Sequence, residues 1–156
     1  MNALGSILGA ADVALDVPAD TRAGLIAFAA NLLGQSHGLS VPDVSAALAA
    51  REGLGCTALG HGVALPHARM AGLAAPVAAF VRTREPIDFG AIDGRPIASF
   101  LVLLVPSQAA EEHLKLLAEA AALLNDRSFR TAVRAAHDAA EVARLFAEWP
   151  IAGEGT

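Results

Sequence analysis

The spacing of apolar residues predicts a strand and a helix near the start of the chain. Apolar and polar residues alternate over 13–17, which is typical of a half-buried strand, and a proline follows directly. Apolar residues then recur at helical spacing, and the face they share contains Leu25, Phe28, Ala29, Leu32 and Leu33. Asp20 or Thr21 can cap this helix, while Gly34 and Gly38 are predicted to mark its end and the loop that follows.

A second helix and a block of strands are predicted next. Ser40 and Pro42 open the helix, which is predicted to end near Arg51. Three apolar runs predict strands, over 62–65, 77–83 and 98–105. The last run is apolar enough to be central in a sheet, and Asp93-Gly94 predicts a turn between the second and third strands.

The last third of the chain is predicted to be helical. One apolar stripe is formed by Leu114, Leu117, Ala121 and Leu124. Asn125-Asp126 breaks this helix, and Phe129 and Val133 begin another. Asp138 followed by Glu141 resembles the capping box of a final helix. The order of strand, two helices, strands and helices favours an α/β protein with a mixed sheet covered by helices.

Length and composition indicate one globular domain. The 156 residues are 54% hydrophobic and 17% charged, which is enough apolar material for a full core. We therefore expect a single domain over 1–156, with a core of about 12–147 and a tail at 148–156.

Charge and cysteine content restrict the possible partners of the protein and its cellular compartment. The 11 Lys and Arg residues are outnumbered by 16 Asp and Glu, giving a net charge of −5, so a nucleic-acid partner is not expected. The single cysteine, Cys56, excludes an internal disulfide. The first residues lack the features of a signal peptide, and the apolar runs are too short to span a bilayer. These features predict a cytoplasmic protein without direct membrane insertion.

Two histidines follow the predicted ends of strands. His67 comes directly after a proline that ends an apolar run, and His113 begins a helix shortly after the next strand exit. Arg51, Thr57 and Arg69 could converge with them at one end of the sheet. Two imidazoles and an arginine around one rim suit a dianionic phosphoryl group.

Each of these residues also has an ordinary explanation. His67 could be a partly buried histidine that bonds a neighbouring turn, and Arg51 could be a surface residue. His113 could belong to a solvated first helical turn with the two glutamates before it. The remaining histidines, His37, His61 and His137, are interpreted as surface residues.

Three other chemical patterns in the sequence are weaker indications of function. Residues 53–58 match a dinucleotide-binding glycine pattern, but they follow a helix and lack the acidic residue about 20 positions later. His61, His67 and His113 have no compact zinc-ligand spacing. Cys56 with His67 could form a thiol nucleophile pair, although a small buried cysteine is commoner. No metal and no cofactor are expected.

Four segments in order resemble one known family. They are Arg51-Glu52 through Gly62-Val63-Ala64-Leu65-Pro66-His67, then Pro86-Ile87-Asp88-Phe89-Gly90-Ala91-Ile92-Asp93-Gly94-Arg95-Pro96, Leu103-Leu104-Val105-Pro106, and Glu112-His113-Leu114. From about Leu15 to Phe146, the chain resembles the type 2 enzyme IIA family of the bacterial phosphoenolpyruvate-dependent phosphotransferase system. The details resemble the nitrogen-regulatory branch most, and fructose-type and mannitol-type domains next.

The resemblance implies both a fold and a function. It implies a mixed central sheet with helices on both faces, in three α/β/α layers. It implies that His67 accepts a phosphoryl group from an HPr-like carrier protein, with His113 in a supporting role and Arg51 stabilising the phosphoryl group. The expected function is a phosphocarrier in nitrogen regulation that binds regulatory target proteins according to its phosphorylation state.

Two other functions remain open at this point. The chain could be a fructose-type or mannitol-type IIA that passes phosphate to a IIB domain in sugar transport, or a non-catalytic binding module. An apolar rim of Leu65, Met70 and Leu73 would suit transient docking of a protein donor, although each residue is equally plausible as core.

Overall fold

The computed structural model describes residues 2–108 and 110–150. In chain order, a 3-10 turn at Ala10–Asp12 precedes β1 (Val13–Val17), α1 (Arg22–His37), α2 (Val41–Leu54), β2 (Ala58–Gly60), β3 (Val63–Ala64), β4 (His67–Met70), β5 (Val77–Ile87), β6 (Ile97–Pro106), α3 (Ala110–Asn125), α4 (Arg127–Ala135) and α5 (Ala139–Glu148).

The strands form one mixed sheet around β6. The antiparallel pair of β5 and β6 lies at its centre, and β1 pairs in parallel with the outer side of β5. On its other side, β6 pairs in parallel with β3 and then with β4, while β2 pairs antiparallel with β3. The mixed sheet predicted from the order of elements is therefore confirmed.

Two hydrophobic clusters lie on opposite faces of this sheet. Successive residues of β6 alternate between them, as strand geometry requires. Leu101, Leu103 and Val105 pack with apolar residues of α3, α4 and α5. Phe100 and Val102 pack with apolar residues of α1 and α2 on the other face. The three-layer α/β/α arrangement is thus confirmed.

Helix α1 starts where the sequence predicts but ends later. The Thr21 hydroxyl accepts a hydrogen bond from the Gly24 amide and caps the helix, whereas Asp20 does not act as the cap. Gly34 lies inside the helix, and the predicted end at this position is wrong. A Cβ at Gly34 would lie 2.5 Å from Cγ2 of Val41, so this glycine permits the close approach of α2. The chain leaves α1 at Gly38, whose φ of 67° suits glycine.

The buried face of α3 differs from the predicted stripe. Leu114 is 65% exposed, whereas His113, Leu116 and Ala120 are buried. Leucines lie on more than one face of this helix, so apolar spacing alone does not identify the face that packs. The other predicted breaks are correct, because Asp126 caps α4 and Asp138 caps α5.

Packed structure continues to the end of the described residues near the C-terminus. Trp149 lies edge-on against Phe129, with ring centroids 5.4 Å apart, and its indole N–H donates to Asp126. Hydrogen bonds from the Phe129 amide and from Trp149 lower the pKa of the Asp126 carboxyl. Residues 151–156 of the predicted tail lie outside the described residues.

Candidate functional site

A surface cavity of about 530 Å³ lies beside β4, between the second half of α2 and the first half of α3. It is lined by Ala47, Ala50, Arg51, Leu54, His67, Ala68, Arg69, Val105, His113, Leu114 and Leu117. The three predicted site residues, Arg51, His67 and His113, therefore share one cavity with Arg69. They come from three elements that lie far apart in the sequence.

His67 is the first residue of β4, and not a residue beyond the end of a strand. The strand predicted at 62–65 is the short β3, and Leu65 and Pro66 interrupt pairing before the chain rejoins β6 as β4. Proline has no backbone N–H to continue a ladder, which explains the break. His67 and Arg69 pair in register with Leu103 and Val105, so both lie on the side of the sheet that α3 covers.

The ring of His67 is held by its own backbone. Nδ1 of His67 lies 2.8 Å from the carbonyl oxygen of Leu65. A carbonyl oxygen only accepts hydrogen bonds, so this contact places the proton on Nδ1. The lone pair then belongs to Nε2, and the half-buried ring lines an open cavity. The geometry presents one imidazole nitrogen in the state that a nucleophile requires.

Arg51 is held in place at the end of α2. It lies in the last turn, where a cation complements the helix dipole, and its guanidinium donates to the carbonyl oxygen of Gly55 at 2.9 Å. Helix α2 continues to Leu54, three residues beyond the predicted end, so Arg51 projects from a regular turn and not from a loop.

His113 is buried and lacks a hydrogen-bond partner. It is 1% exposed, and neither ring nitrogen bonds to any group in the part of the chain that the structure describes. Its interpretation as part of a solvated first turn is therefore wrong, although Glu111 and Glu112 beside it are exposed. A buried imidazole without a hydrogen-bond partner lowers the stability of the folded protein. Its position on the cavity wall therefore indicates a functional role.

Thr57 lies behind the cavity wall and not on the rim. It is buried, and its amide and its hydroxyl both donate to the carboxylate of Glu52, with the amide at 3.1 Å. Its carbonyl oxygen accepts the Leu65 amide at 3.0 Å. Thr57 thereby connects the segment that supports Arg51 with the segment that supports His67.

Glu52 does not line the cavity, but it holds Thr57 in place, and sequence reasoning missed this role. It is only 4% exposed, and it closes the turn that contains Gly55. A glutamate that follows an arginine at a helix end is indistinguishable in sequence from a surface residue. Only the tertiary structure identifies the hydroxyl and the amide that it accepts from.

The apolar rim of the cavity differs from the predicted one. Leu65 is buried in the core, and Met70 and Leu73 pack against the cluster beneath α1 and α2. The exposed apolar side chains at the cavity are instead Leu54, which is 86% exposed, and Leu114. They come from α2 and α3, on the two sides of His67.

The lower-ranked patterns do not converge on the cavity. His61 lies in the turn between β2 and β3, where its amide faces Asp93. The Cys56 thiol donates to the carbonyl oxygen of Phe89 at 3.4 Å, and it does not line the cavity. Over 2–108 and 110–150, no three metal-ligating side chains cluster together.

The interpretation of His37 as a surface residue is only partly correct. Its ring is partly buried, and Nε2 lies 2.8 Å from a carboxylate oxygen of Asp12.

None of the helices in the described part of the chain combines the length and the apolar character that crossing a bilayer requires.

Comparisons with known proteins agree on one family. Residues 6–149 match the family model described as phosphoenolpyruvate-dependent sugar phosphotransferase system, EIIA 2. A nitrogen regulatory protein from Pseudomonas aeruginosa is 38% identical over 127 residues, which cover 78% of this chain and 80% of that protein.

Solved structures give the same result for the fold. The nitrogen regulatory protein IIA-Ntr from Neisseria meningitidis superposes with a TM-score of 0.88 at 39% identity, covering 93% of this chain and 99% of that one. Enzyme IIA-mannitol in its complex with phosphorylated enzyme IIB-mannitol, from Escherichia coli, superposes with a TM-score of 0.74. Its identity is 22%, over 90% of this chain and 96% of that one, so it shows the fold alone.

Proposed function

The chain belongs to the EIIA type 2 family of the phosphoenolpyruvate-dependent sugar phosphotransferase system, and we propose that it is a nitrogen-regulatory phosphocarrier whose acceptor is His67. The observation that carries the proposal is the hydrogen bond from Nδ1 of His67 to Leu65. It leaves Nε2 as the attacking atom in a cavity that also contains Arg51 and His113.

The transfer is an exchange of one P–N bond for another. The donor is a phosphohistidine on an HPr-like carrier protein. Its P–N bond breaks and returns the lone pair to the carrier's ring, while the Nε2 lone pair of His67 forms the new bond. The proton on Nδ1 stays on the ring beside the Leu65 carbonyl, so no base is needed.

Positioning and charge account for catalysis of such a transfer. The loose transition state spreads negative charge over three equatorial oxygens, and preorganised donors stabilise it. Arg51 is already fixed by Gly55, so little reorganisation is required of it. His113 has two unused ring nitrogens at the cavity wall, and one of them can donate to a phosphoryl oxygen once that group arrives.

The exposed leucines give the donor protein a place to dock. Leu54 and Leu114 flank the cavity from opposite sides, and such apolar side chains suit a contact that forms and dissociates quickly. Regulatory target proteins would meet the same surface. A phosphoryl group adds a charge of about −1.5 to −2 there at neutral pH, enough to create or abolish an interface.

The second candidate is transfer to a IIB domain in sugar transport. A fold relative of this chain is seen in complex with a phosphorylated IIB. The two functions differ in what happens to the phosphoryl group after His67, because a sugar pathway passes it on and a regulatory switch keeps it as a signal.

Phosphorylation by a purified phosphotransferase chain tests the proposal. The protein is incubated with phosphoenolpyruvate, enzyme I and the HPr-like carrier from the same cell, and the acid-labile phosphate is mapped by mass spectrometry. We expect label on His67 alone. Label on His113 or Cys56, with none on His67, would contradict the assignment.

A binding assay then separates the two candidates. Phosphorylated and unmodified protein are used in parallel pull-downs, and the phosphorylated protein is offered to fructose-type and mannitol-type IIB domains. A target that discriminates the two forms supports regulation. Rapid transfer to a IIB, without any target of this kind, would replace regulation with sugar transport.

A further inference from the structure

Arg69 lines the same cavity as His67 and belongs to the same strand. Residues two apart in a strand project to the same side, about 6.7 Å from one another along the chain. Arg69 is exposed, whereas Ala68 between it and His67 is buried in the core beneath α2. The guanidinium of Arg69 therefore belongs to the side of β4 from which the His67 ring is reached.

The two arginines of the cavity differ in how they are held. The guanidinium of Arg51 already donates to the carbonyl oxygen of Gly55. Over 2–108 and 110–150, Arg69 makes neither a side-chain hydrogen bond nor an ion pair. One cation is fixed before the reaction, and the other is free to move toward an incoming group.

The charged side chains that line the cavity are all positive. Among its eleven lining residues, two are arginines and none is a carboxylate. The chain as a whole has a net charge of −5, so the charge of the cavity lining is opposite in sign to that of the protein. A concentration of one charge sign in a cleft attracts a ligand of the opposite sign. A dianionic phosphoryl group is such a ligand, and guanidinium geometry matches its oxygens.

We propose that Arg69 is a second phosphoryl-binding residue, which closes on the phosphoryl group after it has reached Nε2 of His67. Arg51 acts on the group in transit, and Arg69 holds the product. This inference rests on the proposed phosphorylation of His67. Arg69 then shifts the equilibrium of the transfer toward phosphorylated His67, because a contact made only in the phosphorylated form favours that form.

The consequence is measurable in the ionisation of the phosphoryl group. A nearby cation favours the dianion, so it lowers the pKa of the second phosphoryl ionisation. Removing Arg69 raises that pKa by about half a unit to one unit, as expected for a partly screened charge pair. The transfer equilibrium with the carrier shifts toward the carrier by about threefold to tenfold.

The experiment compares five proteins: wild type, Arg69→Ala, Arg69→Gln, Arg69→Lys and Arg95→Ala. Arg95 is an exposed arginine in the turn before β6, outside the cavity, so its removal changes the net charge equally. Each protein is phosphorylated by the carrier or by potassium phosphoramidate, and the ³¹P shift is followed as a function of pH. The two neutral Arg69 variants should show the raised pKa, while Arg69→Lys and Arg95→Ala stay near wild type.

Each outcome has a distinct meaning. If His67 is labelled and the neutral Arg69 variants titrate within about 0.2 units of wild type, a threshold far below the expected shift, Arg69 does not bind the phosphoryl group. An equal shift in Arg95→Ala would show only an effect of net charge and would also overturn the inference. A wild-type protein without label at His67 overturns the proposed function itself, and the role of Arg69 with it.

Discussion

The two ends of β6 differ in whether the polar groups around them have hydrogen-bond partners. At its start, the turn before β6 meets the turn between β2 and β3, and the polar groups there are paired. The carboxylate of Asp93 accepts the amides of His61, at 3.3 Å, and Arg95, at 3.0 Å. At its other end, the cavity contains His113 and Arg69, whose side-chain nitrogens have no hydrogen-bond partner in the described part of the chain.

His61 and His67 illustrate the difference within one short segment. His61 has a φ of 57°, a conformation unusual for a residue other than glycine, and the structure holds its backbone while leaving the side chain exposed. His67 is held through its ring, with Nε2 unused. We propose that the first end serves the fold and that the cavity end serves an incoming phosphoryl group. Substitutions should therefore affect stability at one end and phosphoryl transfer at the other.

The largest effect is expected for His67→Ala. It removes the only proposed acceptor, so phosphorylation by the carrier should fall below detection. The free energy of unfolding should change by less than about 1 kcal/mol, because the ring lies at the surface of a cavity. His61→Ala is the matched control, and radiolabel incorporation with urea unfolding reads both quantities. Equal label in the two variants would break the comparison between the ends.

Arg51→Ala should slow transfer by about 10²–10³-fold, the loss typical of one preorganised donor at a site of developing charge. Phosphorylation by the carrier, quenched at a series of times, measures the rate. His67 should still become fully phosphorylated at long times. Arg134→Ala removes the same charge from the last turn of α4, outside the cavity, and serves as its control. If Arg51→Ala and Arg134→Ala transfer at rates within twofold of each other, Arg51 is an ordinary surface residue.

His113→Leu should affect transfer and stability in opposite directions. We expect transfer to slow by about 10²-fold, at the lower limit for a lost donor. The protein should be as stable as wild type or more stable, because an unpaired buried polar group costs about 1–3 kcal/mol. Thermal unfolding and labelling of the same sample test this. A variant that transfers at the wild-type rate would leave the buried imidazole without a functional explanation.

Thr57→Val should affect both quantities moderately, because Thr57 connects the supports of Arg51 and His67. The lost hydroxyl leaves the buried Glu52 carboxylate short of one donor, which costs about 1–3 kcal/mol. Transfer should slow by a few fold as Arg51 loses its fixed position. Thr57→Ser keeps the hydroxyl and is expected to behave as wild type in both assays.

The smallest effect on transfer is expected for Asp93→Ala. Two backbone amides lose their acceptor, so stability should fall by about 0.5–1.5 kcal/mol. Transfer rates should stay within twofold of wild type, because the substitution lies at the end of the sheet away from His67. A large loss of transfer here would mean that the two ends are coupled.

Local chemistry made much of the fold predictable. The three apolar runs predicted as strands contain β3 or parts of β5 and β6, and Thr21, Ser40, Asp126 and Asp138 cap α1, α2, α4 and α5. These features depend on residues close in sequence. The convergence of Arg51, His67 and His113 was predicted from strand order and from the family resemblance, and the structure places them in one cavity.

The remaining features depend on contacts that no local pattern contains. The face of α3 is selected by packing, so Leu114, which was predicted for the apolar stripe, is exposed, and His113, which lies outside that stripe, is buried. Strand β4 is four residues long and begins directly after a proline, so its pairing with β6 had no signal of its own. The Glu52 carboxylate gains its partners only when residues around Thr57 fold over it.

Strand β4 also has a consequence for how the protein behaves at high concentration. Among the strands described over 2–108 and 110–150, β4 pairs with β6 alone, so its other edge has no strand partner. Open edges invite intermolecular strand addition and aggregation, which natural proteins suppress with short strands and outward charges. The strand has only four residues, and its exposed member is Arg69. We therefore expect the arginine that we assign to phosphoryl binding also to protect this edge, and light scattering of its neutral variants would detect any self-association.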